Sequence, residues 1–429
     1  MPEHQFQAET LAIHAGQTPD AATGARALPI YQTTSFVFDS TEHAASLFNL
    51  QTFGNVYSRL SNPTVAALEE RVAALEGGRA ALASASGMAS EAMALMTILQ
   101  QGDHVVAAGA LYGGSVSMLA VNLARFGIET SFVDATKPGA FAAAMRPNTR
   151  AVFAESLGNP SLIMLDIAAV AEVAHAHGVP LVIDNTVPSP FLCNPLRLGA
   201  DIVVHSATKY LGGHGTTLAG VLVEGGKFPW DNGKFPGMTE PSKGYHGVRF
   251  YETFGDFGFT MRARMETLRV YGAALSPMSA WQILQGTETL HVRMERHCSN
   301  ALKVAEFLQN DPRISWVNYP GLPEHPQHAL VKKQMRQMDG VVGASGLLAF
   351  GVKGGLAAGV RFIEAAQFLS HLANIGDTRT LIIHPASTTH RQLDAEQQVA
   401  AGVLPDMVRM SVGIEHIDDI LWDIDQALG

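Results

Sequence analysis

The chain of 429 residues contains only two cysteines, Cys193 and Cys298. Two distant cysteines make no disulfide framework, and without a Cys-x-x-Cys pair there is no zinc signature, so no metal site is expected. Charge is scarce as well: 16% of residues are Asp, Glu, Lys or Arg, and the net charge is −10. An acidic chain has no general attraction for nucleic acid or anionic membrane, so neither is expected as a partner. Any anion it binds must be held by a local site. Long apolar runs are missing too, the longest being broken well short of the ~18 residues of a membrane span. The start, MPEHQFQAETLAIHAG, carries charges where a signal peptide would be apolar. Together these absences describe a soluble cytoplasmic protein. What the chain does have is hydrophobic side chain, 47% of residues, enough at this length for more than one domain.

Residues 1 to about 61 show little periodicity and scattered turn formers, and they read as an extended N-terminal arm. Asn62-Pro63 then opens a helix whose apolar residues Val65, Leu68, Val72 and Leu75 share one face, and Gly77-Gly78 ends it. From there short apolar strands (AALASA, HVVAAG, IETSFV, TRAVFAES, VPLVID, ADIVVHS) alternate with helical segments. That alternation predicts an α/β fold with a mostly parallel central sheet covered by helices, over about 62–275. Within it, about 225–259 is rich in Gly, Pro and aromatics and too long for a simple connection, which marks a functional insertion. A long helix (about 288–309), the strands ISWVNY, GLLAFGV and MVRMSVGI, and a final helix HIDDILWDIDQAL predict a smaller C-terminal α/β domain over 276–429.

Ligands of open α/β sheets bind beyond the carboxyl ends of the strands, so the residues at those ends are the candidates for chemistry. Lys209 follows ADIVVHS between hydroxyls and three glycines. Alone, a lysine after a strand is ordinarily a surface lysine. Asp184 ends VPLVID, and a buried carboxylate needs a partner. A lysine and an aspartate on neighbouring strand ends match what a pyridoxal site requires, one for an imine and one for the pyridinium nitrogen. Ser86-Gly87-Met88 joins a strand to a helix N-terminus, where backbone N–H groups and a bare glycine accommodate a phosphate. Ser206 and Thr208 add hydroxyls, and Tyr57 and Arg59 add a phenol and a guanidinium. Tyr112 is placed to stack on a ring, and Asn159 to donate to a ring oxygen or simply to form a turn. Arg409, inside the apolar strand MVRMSVG, suits a substrate carboxylate.

The motifs YSRLSNPT, SGM, NP, VIDNT, SATKYLGGHG and VRMSVGIE occur in an order and spacing that resembles the Cys/Met-metabolism family of fold-type I pyridoxal-phosphate enzymes. The resemblance covers nearly the whole chain. The arm ETLAIHAGQTPDAATGARALPIYQTTSFVFDS, the insertion and the segment LANIGDTRTLIIHPASTTH are most similar to its O-acetylhomoserine sulfhydrylase branch. It implies pyridoxal 5′-phosphate as cofactor and γ-replacement of acetate on O-acetylhomoserine by sulfide or methanethiol. Methionine γ-lyase, cystathionine γ-synthase and O-succinylhomoserine sulfhydrylase are the alternatives. It also implies that Lys209 carries the imine, Asp184 pairs the pyridinium and Tyr112 stacks on the ring. Ser86, Gly87, Met88, Ser206 and Thr208 would hold the phosphate with Tyr57 and Arg59 of a neighbouring subunit, in a homotetramer with shared active sites. Asn159 would contact the ring hydroxyl, and Arg409 with Asn374 the substrate.

Overall fold

The computed structural model describes residues 5–338, 340–389, 391 and 402–429. The helix opened by Asn62 is present as Pro63–Glu76, its first turn capped by the Asn62 side chain, which accepts from Thr64 N at 3.0 Å. Gly77 closes it at φ 69°, a left-handed conformation that glycine adopts without strain. Two further helices correct the expectation of an extended arm. Helix α1 (Ala8–His14) packs against the Pro63–Glu76 helix, and α2 (Thr41–Phe48) starts where Ser40 Oγ accepts from His43 N at 3.0 Å. A serine cap followed by Glu42 was the local signal for α2. Residues 1–4 of the arm lie outside the described residues.

With Pro63–Glu76 as α3, the alternating strands are β1 (Ala80–Ser84), β2 (His104–Ala108), β3 (Glu129–Val133), β4 (Thr149–Glu155), β5 (Leu181–Asp184), β6 (Ile202–Ser206) and β7 (Gly220–Glu224). They form one sheet in the order β1-β7-β6-β5-β4-β2-β3. All neighbouring pairs from β6 to β3 are parallel, and only β7 runs antiparallel to its neighbours. The sheet is mostly parallel, as the continuous apolar strands predicted, and β2, β5 and β6 are buried along nearly all their length. Helix α4 (Gly87–Ile98) follows β1, and the short α5 (Gly113–Ser117) follows β2. The order in which successive strands are added reverses between β2 and β4, so the carboxyl ends of these two parallel strands frame the crevice where such sheets bind ligands.

The insertion folds as a packed aromatic unit. Trp230 stacks on Phe259 with centroids 5.4 Å apart, and Phe228 and Phe235 meet Trp230 edge-on. Glu224, the last residue of β7, ties it down by accepting from Thr260 N at 2.8 Å and Thr260 Oγ1 at 2.9 Å.

Beyond α6 (Leu290–Gln309) lies a second sheet of five strands. Its members are β8 (Ile314–Asn318), β9 (Leu347–Val352), β10 (Ser370–His371), β11 (Leu381–Ile383) and β12 (Met407–Ser411), in the order β10-β11-β12-β9-β8. Its pairs are antiparallel except β10 with β11. The final helix, α7 (Ile417–Leu428), packs on α6 and on the helix Gly355–Ala365. Among the described residues no helix is long and apolar enough to cross a membrane.

Candidate active site

The carboxyl edge of the first sheet gathers most of the residues singled out from the sequence. Ser86 caps α4 after β1, Tyr112 opens α5 after β2, Asn159 follows β4, Asp184 ends β5 and Ser206 ends β6, with Lys209 just past it. The second sheet contributes Arg409 from β12 and Asn374 from the β10–β11 connection. Lys209 Nζ donates to Asn374 Oδ1 at 2.5 Å, and Arg409 Nη2 donates to the Asn374 carbonyl at 3.1 Å. Arg409 Nη1 donates to Asn159 Oδ1 at 3.0 Å. One hydrogen-bonded chain therefore joins both sheets. Asn159 Oδ1 is occupied by Arg409, so its amide Nδ2 is the group left to donate to a ligand.

Burial, then the nearby Arg409 charge, pushes the Lys209 ammonium down to about 8, against an opposing pull from Asp184. Burial likewise lowers Arg409 to about 10, and it remains a cation at neutral pH. A cleft of about 700 Å³ opens beside these groups, lined among others by Lys209, Thr208, Asn374, Thr217 and Ser276.

Ser86-Gly87-Met88 forms a bare cradle at the α4 N-terminus. A Cβ on Gly87 would stand 2.6 Å from Ser206 Cβ, so only glycine lets α4 approach β6 this closely. Ser86 Oγ accepts from Ala89 N at 3.2 Å, and Thr208 Oγ1 bonds the backbone of Ala219. Tyr112 is half exposed, with its ring beside Gly114 and Met88. Tyr57 and Arg59 stand apart from this cluster: the Arg59 guanidinium lies over the Tyr57 ring at 5.4 Å and bonds the Arg269 carbonyl.

The profile of the Cys/Met metabolism PLP-dependent enzymes matches residues 9–429. The chain belongs to that family. It is 55% identical to an O-acetyl-L-homoserine sulfhydrylase of Leptospira meyeri, covering 100% of this chain and 98% of the relative. It is 51% identical to O-acetyl-L-homoserine sulfhydrylase 1 of Thermus thermophilus, over 98% and 99%. Among solved structures, one from Campylobacter jejuni named as an O-acetylhomoserine (thiol)-lyase superposes with a TM-score of 0.95 at 40% identity, over 99% and 100% of the two chains. That structure carries N′-pyridoxyl-lysine-5′-monophosphate.

The cofactor of this Cys/Met metabolism enzyme is pyridoxal phosphate, and the residues present fit it. Gly87 lets the α4 N-terminus pack against Ser206 at the end of β6, which sets backbone N–H groups and the Ser206 hydroxyl side by side, as an anion requires. The buried Asp184 accepts from Thr186 N at 2.7 Å yet makes no salt bridge among the described residues, which suits a pyridinium as its cation. Lys209 is the amine within the same cleft.

The sequence reading missed two buried carboxylates beside Asp184. Glu155 ends β4 and accepts from Asn159 N at 3.0 Å and from Tyr112 N, holding both flanking loops. Its signal was the one used for Asp184, a charge closing an apolar strand. Glu91 lies on α4 and is 3% exposed; the hint was a charge inside the apolar helix MASEAMALM. On the opposite face of the sheet, Glu76 Oε1 bonds His205 Nε2 at 2.7 Å and Asn185 Nδ2 at 2.9 Å, which fixes the ends of β5 and β6 from behind.

Proposed function

We propose that this chain catalyses pyridoxal-phosphate-dependent γ-replacement on O-acetyl-L-homoserine, acetate being displaced by sulfide or methanethiol to give homocysteine or methionine. The observation that carries the reading is the Lys209–Asn374–Arg409–Asn159 chain, in which a low-pKa amine and a carboxylate-binding guanidinium meet on one asparagine. Full-length identity of 55% and 51% to O-acetyl-L-homoserine sulfhydrylases supports the choice of substrate.

When bound, pyridoxal phosphate supplies a covalent anchor for the substrate amino group and a sink for negative charge at its α-carbon. In this reading Lys209 Nζ holds the cofactor until substrate arrives. Freed, it is neutral in a large share of molecules near pH 8 and would carry the α-proton and then a β-proton. Acetate then leaves with the bonding pair from the γ-carbon, the sulfide or methanethiol sulfur bonds there in its place, and protons return to the β- and α-carbons. Arg409 holds the substrate carboxylate with both nitrogens of its fork, and Asn374 keeps Lys209 and Arg409 in register. Asp184 would pair with the ring nitrogen, Tyr112 would stack on the ring and Asn159 would donate to the ring hydroxyl. The α4 N-terminus at Ser86, Gly87 and Met88, with Ser206 and Thr208, holds the phosphate.

The exposed Tyr57 and Arg59 complete the phosphate site of a neighbouring subunit in a homotetramer; the strongly exposed Val37, Phe53 and Tyr271 nearby support a covered surface. Two buried, unpaired cysteines fit a reducing cytoplasm. The decisive experiment is Lys209→Ala. The purified variant is expected to lose the visible absorbance of the holoenzyme and nearly all formation of homocysteine; an unchanged spectrum and rate would sink the assignment.

A further inference from the structure

Three carboxyl groups, Glu91, Glu155 and Asp184, are buried close together beneath the site. The cofactor ring would bring a single cation to it, so the three cannot all be ionised at modest energy. Their surroundings differ. Asp184 accepts the Thr186 N–H, and Glu155 accepts the N–H groups of Tyr112 and Asn159. Such donors favour the ionised form. Glu91 sits in the second turn of α4, where backbone N–H groups are consumed by the helix, and among the described residues it forms no salt bridge. It faces Ser115, Asp184 and Glu155. Among the described residues Glu91 Oε2 and Ser115 Oγ are both buried without a hydrogen-bond partner, while Asp184 lies close enough to act on Glu91. An orphaned oxygen facing a carboxylate is where a shared proton belongs.

We infer that Glu91 is a positioning residue, held protonated and donating its O–H to Asp184 so that Asp184 stays ionised toward the cofactor ring nitrogen. The inference rests on the reading of Asp184 given above. Burial, followed by the Asp184 charge, raises Glu91 well above the usual carboxylate range, in agreement with the geometry. Burial also raises Glu155, against the pull of its two N–H donors. Burial raises Asp184 too, and the Thr186 bonds, the His205 charge behind the sheet and the Glu91 contact all pull against it toward the ionised form.

Two variants separate a proton donor from a space filler. Glu91→Gln keeps an N–H donor at the same size, whereas Glu91→Leu removes it. The dissociation constant of pyridoxal phosphate for the apoenzyme is expected to stay near wild type in Glu91→Gln and to weaken about tenfold or more in Glu91→Leu, one pKa unit of lost coupling. In infrared difference spectra of the apoenzyme, a deuterium-sensitive protonated-carboxyl band should disappear in Glu91→Gln and persist in Glu155→Gln. The inference is overturned if that band survives in Glu91→Gln, or if Glu91→Gln weakens the cofactor as much as Glu91→Leu does. The infrared arm needs only Glu91→Gln, so it stands even where Glu91→Leu does not fold. Visible absorbance and turnover of the wild-type holoenzyme, read on the same preparation, report separately on the proposed function.

Discussion

At the residue scale the site depends on groups whose charge state is set by burial. Lys209 is depressed to about 8, so its neutral form grows as pH rises through that value. Covalent attachment of the cofactor needs the neutral amine. The rate at which apoenzyme regains its visible absorbance should therefore climb between about pH 7 and 9 and level off above. A profile still rising toward the ordinary lysine range would show that burial does not act as described. Arg409 offers a second check. Its two nitrogens hold Asn159 and Asn374 apart at fixed positions, a fork that a lysine cannot reproduce. In Arg409→Lys, kcat/KM should fall by about 10- to 100-fold, the loss of one charge-assisted hydrogen bond. Most of the fall should be seen as a higher KM in steady-state assays; a fall confined to kcat would assign Arg409 another role.

Among the elements, the strand ends act as fixed platforms and the helices as adjustable walls. The approach of α4 to β6 requires a glycine at 87, and the same approach brings Glu91 under Asp184. The insertion has one buried polar anchor in the Glu224 side chain at the end of β7, beside peripheral bonds such as Lys234 Nζ to the His177 carbonyl at 2.7 Å. Truncating Glu224 strands the Thr260 N–H and hydroxyl and weakens the Phe259 amide contact, all inside the packed core. Glu224→Ala is expected to cost about 2–3 kcal/mol and to lower the thermal midpoint of the holoenzyme, while Glu224→Gln loses less. Equal midpoints for Glu224→Ala and wild type would mean that the insertion is held mainly by its aromatic packing.

For the whole molecule, the separation of Tyr57 and Arg59 from the Lys209 cluster within one chain is what the proposed sharing of sites between subunits predicts. Arg59→Ala and Lys209→Ala chains, each inactive alone, should complement when unfolded together and refolded. Random pairing about a two-fold axis leaves about a quarter of the sites intact, so activity near that level is expected in the mixture. No recovery, with oligomers demonstrably mixed, would place Arg59 in the service of its own chain.

Much of this was legible in the amino-acid sequence because it depends on neighbours along the chain. Strand and helix periods, the Asn62 cap, the glycine turn at 87 and the placement of Lys209 and Asp184 at strand ends are local properties, and they determined the fold class and the cofactor edge. The helices α1 and α2 escaped because short helices carry little periodicity and are held by caps and packing. Only the tertiary structure decided which distant groups meet. Lys209 reaches Asn374 across 165 positions, and Arg409 reaches Asn159 across 250. Glu91, Glu155 and Asp184 come from one helix and two strands and converge where burial disfavours three like charges side by side. Which of them keeps its proton depends on the N–H donors around each, and those are set by packing rather than by sequence order.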